Sequence, residues 1–206
     1  MTVTAKYGTE IANIANNKNA TLTIKSMLTA DSVEFPAFLT SFNQSFSSTW
    51  NEEEVYGRMD PIATFQNTKR SISIAFDLPC PDLGSAKHAL SDCNKLAQFL
   101  YPGYTKQTGG AGQIISRPPL VSVKFANLIS SGDGNSKSAQ SGGLLGYLSG
   151  LEWAPVLDMG MFTSDDGGLY PKVVSLSFTL NVLHQGVKGF KEDNTFASNG
   201  FFGGTE

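Results

Sequence analysis

The strictest constraint on this chain is a period of two. From Phe38 to Trp50 the even positions read Phe38, Thr40, Phe42, Gln44, Phe46, Ser48 and Trp50, while the odd ones are mostly Ser, Asn and Thr. Alternation of that length places four aromatic side chains on one face of a long, half-buried β-strand. After a polar loop over roughly 51–68, Ile72, Ile74, Phe76 and Leu78 alternate with Ser71, Ser73, Ala75 and Asp77. Together the two runs predict an extended hairpin over 38–78. "KVVSLSFTLNVLHQ" repeats the pattern, with Val174, Leu176, Phe178, Leu180, Val182 and His184 on the inward face. "PPLVSVKFANLI" predicts a shorter strand with Val121, Val123 and Phe125 on one side, and "LLGYLSGLEWAPVLDMGMF" a strand broken by Gly150 and Pro155.

One segment has the helical period instead. In "CPDLGSAKHALSDCNKLAQFLYPGY", Asp82 after Pro81 is an N-cap. Leu83, Ala86, Leu90, Cys93, Ala97 and Leu100 form an apolar stripe, and Pro102-Gly103 ends the helix. With no second helix of that quality, the stripe must pack on a sheet. Strands, one helix, then strands predict a mainly β (α+β) domain: an antiparallel β-sandwich or rolled sheet flanked by a single α-helix. Residues 1–31 are polar and irregular and read as an N-terminal arm with room for one short strand. Residues 32–186 form the β domain, and 187–206 read as a flexible C-terminal tail.

The 206 residues suffice for one domain with a real core. Charged residues make up only 16% of the chain, against roughly 25% in a typical domain. Ser, Thr, Asn and Gly must therefore cover much of the surface, as suits a loop-rich β protein or one covered by neighbours. A net charge of −3 and a pI near 5.4 exclude a nucleic-acid binder that works by counterion release. Cys80 and Cys93 lie in no CxxC pair, and His88 and His184 are too few to complete a zinc set. The helical stripe makes Cys93 a buried free thiol rather than half of a disulfide. The N-terminus lacks an apolar leader, and no run reaches the ~20 apolar residues that span a bilayer. These features lead to the expectation of a soluble protein made in a cytoplasm.

No chemistry assembles itself from this inventory. Glu52, Glu53 and Glu54 with Asp60 resemble paired carboxylates, but consecutive acids on a polar loop form a solvated face, whereas a catalytic pair needs burial to split its pKa values. "SDDGG" (Ser164 to Gly168) lacks the spaced ligands and terminal Glu of a calcium loop and reads as a tight turn. "GGAG" (Gly109 to Gly112) does not lead a strand into a capped helix, so it is no phosphate cradle. His88 lies on the polar side of the helix, His184 ends a strand, and no GxSxG elbow occurs. The expectation is a protein that is not an enzyme and uses no cofactor or metal.

The order of several words is more specific than any one of them. Trp50 and "VYGRMDPIATFQNTKRSISIAFDLP" precede "AKHALSDCNKLAQFLYPGY", then "RPPLVSVKFANLI", "GYLSGLEWAPVLDMGMF" and "LYPKVVSLSFTLNVLHQ". Over roughly 35–185 this series resembles the tail-tube-like baseplate proteins, the tube initiator or tube cap group, of contractile-tailed bacteriophages. The resemblance implies a β domain of the tail-tube type whose copies form a ring, a hexamer, at the junction between baseplate hub and tail tube. It implies the tail tube protein, baseplate hub proteins and the tape measure protein as partners, and a location in the virion after assembly in the host cytoplasm. Ejected DNA would pass through the lumen without specific binding; six copies at −3 each carry −18, which repels a polyanion. On this reading Trp50, Tyr56, Arg58, Asp60 and Pro61 are intersubunit contacts, and Glu52, Glu53 and Glu54 line the lumen or its rim. The alternative is a monomeric carbohydrate- or protein-binding β-sandwich module at a tail tip, which Trp50, Tyr56 or Tyr104 exposed in a shallow cleft would favour.

Overall fold

A computed structural model describes residues 7–17, 20–106, 113–126, 128–130, 142–165, 167–185, 189, 190, 192, 194 and 195. In chain order its elements are α1 (Thr9–Asn17), β1 (Thr21–Ser26), β2 (Ser32–Pro36), β3 (Phe38–Glu53), β4 (Ile62–Pro79), α2 (Leu83–Gln98), β5 (Gly103–Lys106), β6 (Gln113–Arg117), β7 (Val121–Phe125), β8 (Leu144–Pro155), β9 (Met161–Thr163), β10 (Leu169–Pro171) and β11 (Val173–Val182). Seven strands form one antiparallel sheet in the order β2-β1-β7-β8-β11-β4-β3; β5–β6 and β9–β10 are separate hairpins. The fold is mainly β with one substantial helix.

A single rolled sheet, not a two-sheet sandwich, makes the core. Phe35 on β2 and Phe76 on β4 are five strand steps apart in the sheet order. In a flat sheet they would be about 24 Å apart, yet their ring centroids lie 5.8 Å from each other. The chain itself closes the roll, because the two edge strands β2 and β3 are consecutive and only Ala37 separates them. Ala37 is buried, and its N–H donates to the Ala20 carbonyl at 2.9 Å. Inside lie Leu22 and Ile24 of β1, Val33 and Phe35 of β2, the even residues from Ile72 to Leu78, then Val121, Val123 and Phe125 of β7, and the even residues from Val174 to Val182. Phe76 also meets Phe178 edge-on at 6.4 Å.

Several sequence expectations need correction. Residues 1–31 are not simply an arm: β1 is an inner strand between β2 and β7, and α1 adds Ala12 and Ala15 to the buried set. β1 carries only two core residues, Leu22 and Ile24, so its polar composition hides a place that cross-strand pairing secures. The region of the predicted C-terminal tail lies mostly outside the described residues, and the "GGAG" segment wholly so. The link that contains the latter joins β5 to β6 as a hairpin. β8 is continuous through Gly150, where a bulge shifts its register against β11 and Gly150 adopts φ +62°. His184 is exposed beyond the end of β11 rather than inward.

On α2, Asp82 caps the N-terminus and accepts from the Ser85 N–H at 2.6 Å. That backbone hydrogen bond is the main reason its carboxyl titrates below the usual value. The buried face runs through Ser85, Ala86, Ala89, Asp92, Cys93 and Leu96, one position off the predicted stripe. Small residues let the helix approach closely, and Asp92 is accommodated because the buried Tyr7 hydroxyl donates to it at 2.8 Å. Burial beside Asp92 raises the Tyr7 pKa. Cys80 and Cys93 are both buried free thiols.

Candidate functional site

The feature that stands apart from the core is the far half of the β3–β4 hairpin. β11 pairs with β4 only from Pro79 to Arg70 and ends there at Val182. Beyond that level, residues 47–53 and 62–69 pair only with each other. Seven residues of one strand against eight of the other make a ribbon about 25 Å long that leaves the sheet as an arm. All of β4 from residue 62 to residue 69 is exposed. The half-buried strand expected over 38–50 is therefore half-buried only near its start, and a bulge at Thr40 takes Phe38 off the core face and puts Leu39 on it.

The root of the arm is fixed by a residue that the sequence analysis did not single out. Arg70 continues the core phase of Ile72, Ile74 and Phe76, and it is 5% exposed. Its guanidinium lies over the Phe46 ring at 5.5 Å. With the Gln44 amide oriented to present its oxygen, that oxygen accepts from Arg70 Nε at 2.7 Å and from Nη2. Burial lowers the Arg70 pKa, but an Arg remains charged at any physiological pH. The signal was legible: a lone cation in phase with three apolar residues.

Farther out, Trp50 and Phe65 meet edge-on at 5.2 Å, and Ser48 Oγ and Thr68 Oγ1 share a hydrogen bond at 3.2 Å. The strands run to Glu53 and resume at Ile62, so the tip is only 54–61, not the 51–68 loop that the sequence suggested. Within it the Arg58 N–H donates to the Val55 carbonyl at 3.2 Å. Gly57 at φ +86° supplies the left-handed residue of a type II turn. Tyr56 and Met59 are fully exposed (105% and 101%).

All eight predicted contact residues thus lie on the outer part of one ribbon. Trp50 is in β3, while Tyr56, Arg58, Asp60 and Pro61 are in the tip. The three acids do not share a face: Glu52 pairs with Ala63, its neighbour Glu53 with Ile62, and Glu54 starts the tip. Arg58 and Asp60 are exposed, and neither is in an ion pair among the described residues. Phe46, Val55, Met59, Ile62 and Phe65 add exposed apolar surface that the sequence reading passed over. A free ribbon with this much apolar surface is an interaction surface or an aggregation hazard.

A second surface is chemically opposite. The outer face of β3, β4, β11 and β8 is a field of hydroxyls. Ser73 Oγ and Thr179 Oγ1 are 3.1 Å apart, Asn181 donates to Ser149 Oγ at 2.8 Å, and Ser177 donates to Glu152 at 3.2 Å. A shallow groove of about 270 Å³ crosses it, lined by Ser41, Ser73, Gly150, Glu152, Ser177 and Thr179 among others, with no Trp or Tyr.

Among the described residues, no cluster of three or more His, Cys, Asp or Glu side chains is placed to hold a metal ion. No helix among them is long and apolar enough to cross a membrane. Compared with known proteins, the chain matches no family model and no curated protein.

Proposed function

We propose that this chain is a structural, non-enzymatic subunit of a virion ring, a tube initiator or adaptor at the junction between baseplate hub and tail tube of a contractile-tailed phage. The arm carries this reading. A compact domain has no use for a long ribbon with Trp50, Tyr56, Met59 and Phe65 exposed, whereas a ring subunit has neighbours to cover it. The β3 edge supports the same view. From Phe38 to Asn51 it holds no charge and no proline, and such an edge is normally protected or paired. The hydroxyl field suits a channel wall, since uncharged hydroxyls hydrate a passing polyanion without gripping it. In this reading the tail tube protein, the hub proteins and the tape measure protein are the partners, and the virion is the location. The tail-tip binding module has less support, because the groove on the outer face lacks the aromatic platform that sugars stack on.

Native mass measurement and negative-stain microscopy of the purified protein, alone and with tail proteins, test the proposal. Rings, hexameric under the sixfold reading, are the expected result. A monomer at high concentration that joins no ring in any partner mixture would sink it. Arg58→Glu is expected to abolish the ring while leaving the circular dichroism of the monomer unchanged.

A further inference from the structure

The arm has a complement on the same chain, at the opposite end of the sheet. β3 runs toward the arm and β2 leads into it through Ala37, so the start of β2 lies at the end away from the arm; Ser32 there pairs with Lys25, and Lys25 with Ser122 at the start of β7. β7 runs from Val121 in the direction of the arm, so β6, which feeds it, lies at the other end. There the β5–β6 hairpin stands off the main sheet as a second ribbon. Ile114 and Ile115 are adjacent in β6 and so point to opposite faces, yet both are more than half exposed, as are Tyr101 and Tyr104 beside them.

Charge distinguishes the two ribbons. Between Trp50 and Ile62 the arm carries Glu52, Glu53, Glu54 and Asp60 against Arg58, a net of −3. The sequences of β5 and β6 contain Lys106 and Arg117 and no acid, a net of +2. The neighbouring β1–β2 turn region adds Lys25 and Asp31, which cancel. Each ribbon thus offers exposed apolar side chains, and the two ribbons carry opposite net charge. Like charges keep two arms apart, and likewise two β5–β6 hairpins.

Resting on the ring reading above, we infer that the acidic arm of one copy docks on the basic β5–β6 hairpin of another copy of this chain. The contact joins unlike surfaces and is therefore heterologous. It closes into a ring, or continues into stacked copies, according to the rotation per step. Trp50, Tyr56 and Met59 cover Tyr104, Ile114 and Ile115, while the carboxylates face Arg117. The opposite net charge sets the orientation and the rate of encounter more than the final affinity.

Charge exchange tests this directly. One variant carries Glu52→Lys, Glu53→Lys and Glu54→Lys; a second carries Lys106→Glu and Arg117→Glu; a third combines all five. All the positions are on ribbons outside the core, so circular dichroism should match the parent. The first two variants should each assemble at least ~10-fold more weakly at low salt, and the third should recover to within about 3-fold, with the loss shrinking as salt rises. A double variant with Tyr56→Cys and Ile115→Cys should form an intermolecular disulfide on mild oxidation, the buried Cys80 and Cys93 staying out of reach. Failure of the combined variant to recover, or assembly indifferent to both reversals, overturns the inference. So does an introduced thiol at the arm tip that cross-links in assembled tails only to a different protein. Rings that persist through the reversals would leave the ring reading intact and remove this contact alone.

Discussion

β4 is one strand with two lives. From Arg70 to Pro79 it has a neighbour on each side, and its even residues are buried. From Ile62 to Lys69 it has β3 alone, and every residue is exposed. The backbone pairing with β3 is continuous across both halves apart from one bulge at Thr49/Trp50 and one near its far end at Leu39/Ser41. The difference therefore comes from what covers the strand, not from the strand itself. The inner half is held by the core; the outer half is a two-stranded ribbon, a structure of marginal stability by itself. Stability and interaction are thus assigned to successive stretches of a single element.

Mutations should separate the two stretches, and the largest effect belongs to the body. Phe76→Ala removes a fully buried ring that packs on Phe35 and Phe178. It should cost about 3–5 kcal/mol in a urea or thermal melt. Arg70→Met acts at the boundary. It deletes the charged hydrogen bonds to Gln44 and should cost about 1.5–3 kcal/mol, with faster amide exchange over 46–69 and unchanged exchange in β7 and β8. If exchange rose equally in both regions, the arm would not be an independently loosened unit.

Smaller effects follow within the body. Asp82→Ala should cost about 1 kcal/mol through loss of the helix cap. The Asp82 carboxyl is depressed in the folded state. Its contribution is therefore present above the unfolded-state pKa and fades as pH falls through the folded one, so wild type and variant should converge in acid melts. The thiols give the alkaline counterpart. Burial pushes Cys80 up to about 11 and Cys93 up to about 12, from 9.0. Their contribution holds below pH 9 and declines as pH rises toward 11 to 12, because only the unfolded chain can release those protons. Native protein should accordingly resist a thiol reagent at about pH 8 until it unfolds. The smallest change in stability is expected from Trp50→Ser in the arm, within about 0.5 kcal/mol, together with the loss of assembly. A large drop in melting temperature would mean that the arm is part of the body after all.

What the sequence made legible follows the same division. The inner half of β4, with β7 and β11, buries one face along nearly its whole paired length, so period two marks these strands plainly, and Asp82 marks the start of α2. α1 has no clear signal in the sequence, and β1 shows only as room for one short strand in an arm, because their core residues are few or small, Leu22 and Ile24 in β1 and Ala12 and Ala15 in α1. The α2 stripe was read one position off because Asp92, a polar residue, is inside, and Tyr7, 85 positions away, makes that tolerable. The arm could be located by its words but not recognised as an arm. Alternation shows that a strand has two unlike faces; it does not show that β11 stops at Val182 and leaves the rest uncovered. The offset of Phe65 against its neighbours arises from the bulge at Thr49/Trp50, which no local pattern announces.

The strand order also has a consequence for synthesis. β3 and β4 can pair as soon as both have emerged, but the second neighbour of β4 is β11, and a bond such as Ser73 to Thr179 spans 106 positions. At roughly 5–20 residues per second, a ribosome needs about 5–20 s to deliver that stretch. Through that interval the whole hairpin, Ile72 to Leu78 included, lacks the neighbour it will have in the finished sheet. The nascent chain is then sticky along its full length, not only at its tip. Expression conditions that slow translation between β4 and β11 should therefore lower the yield of soluble protein even when the finished fold is unaltered.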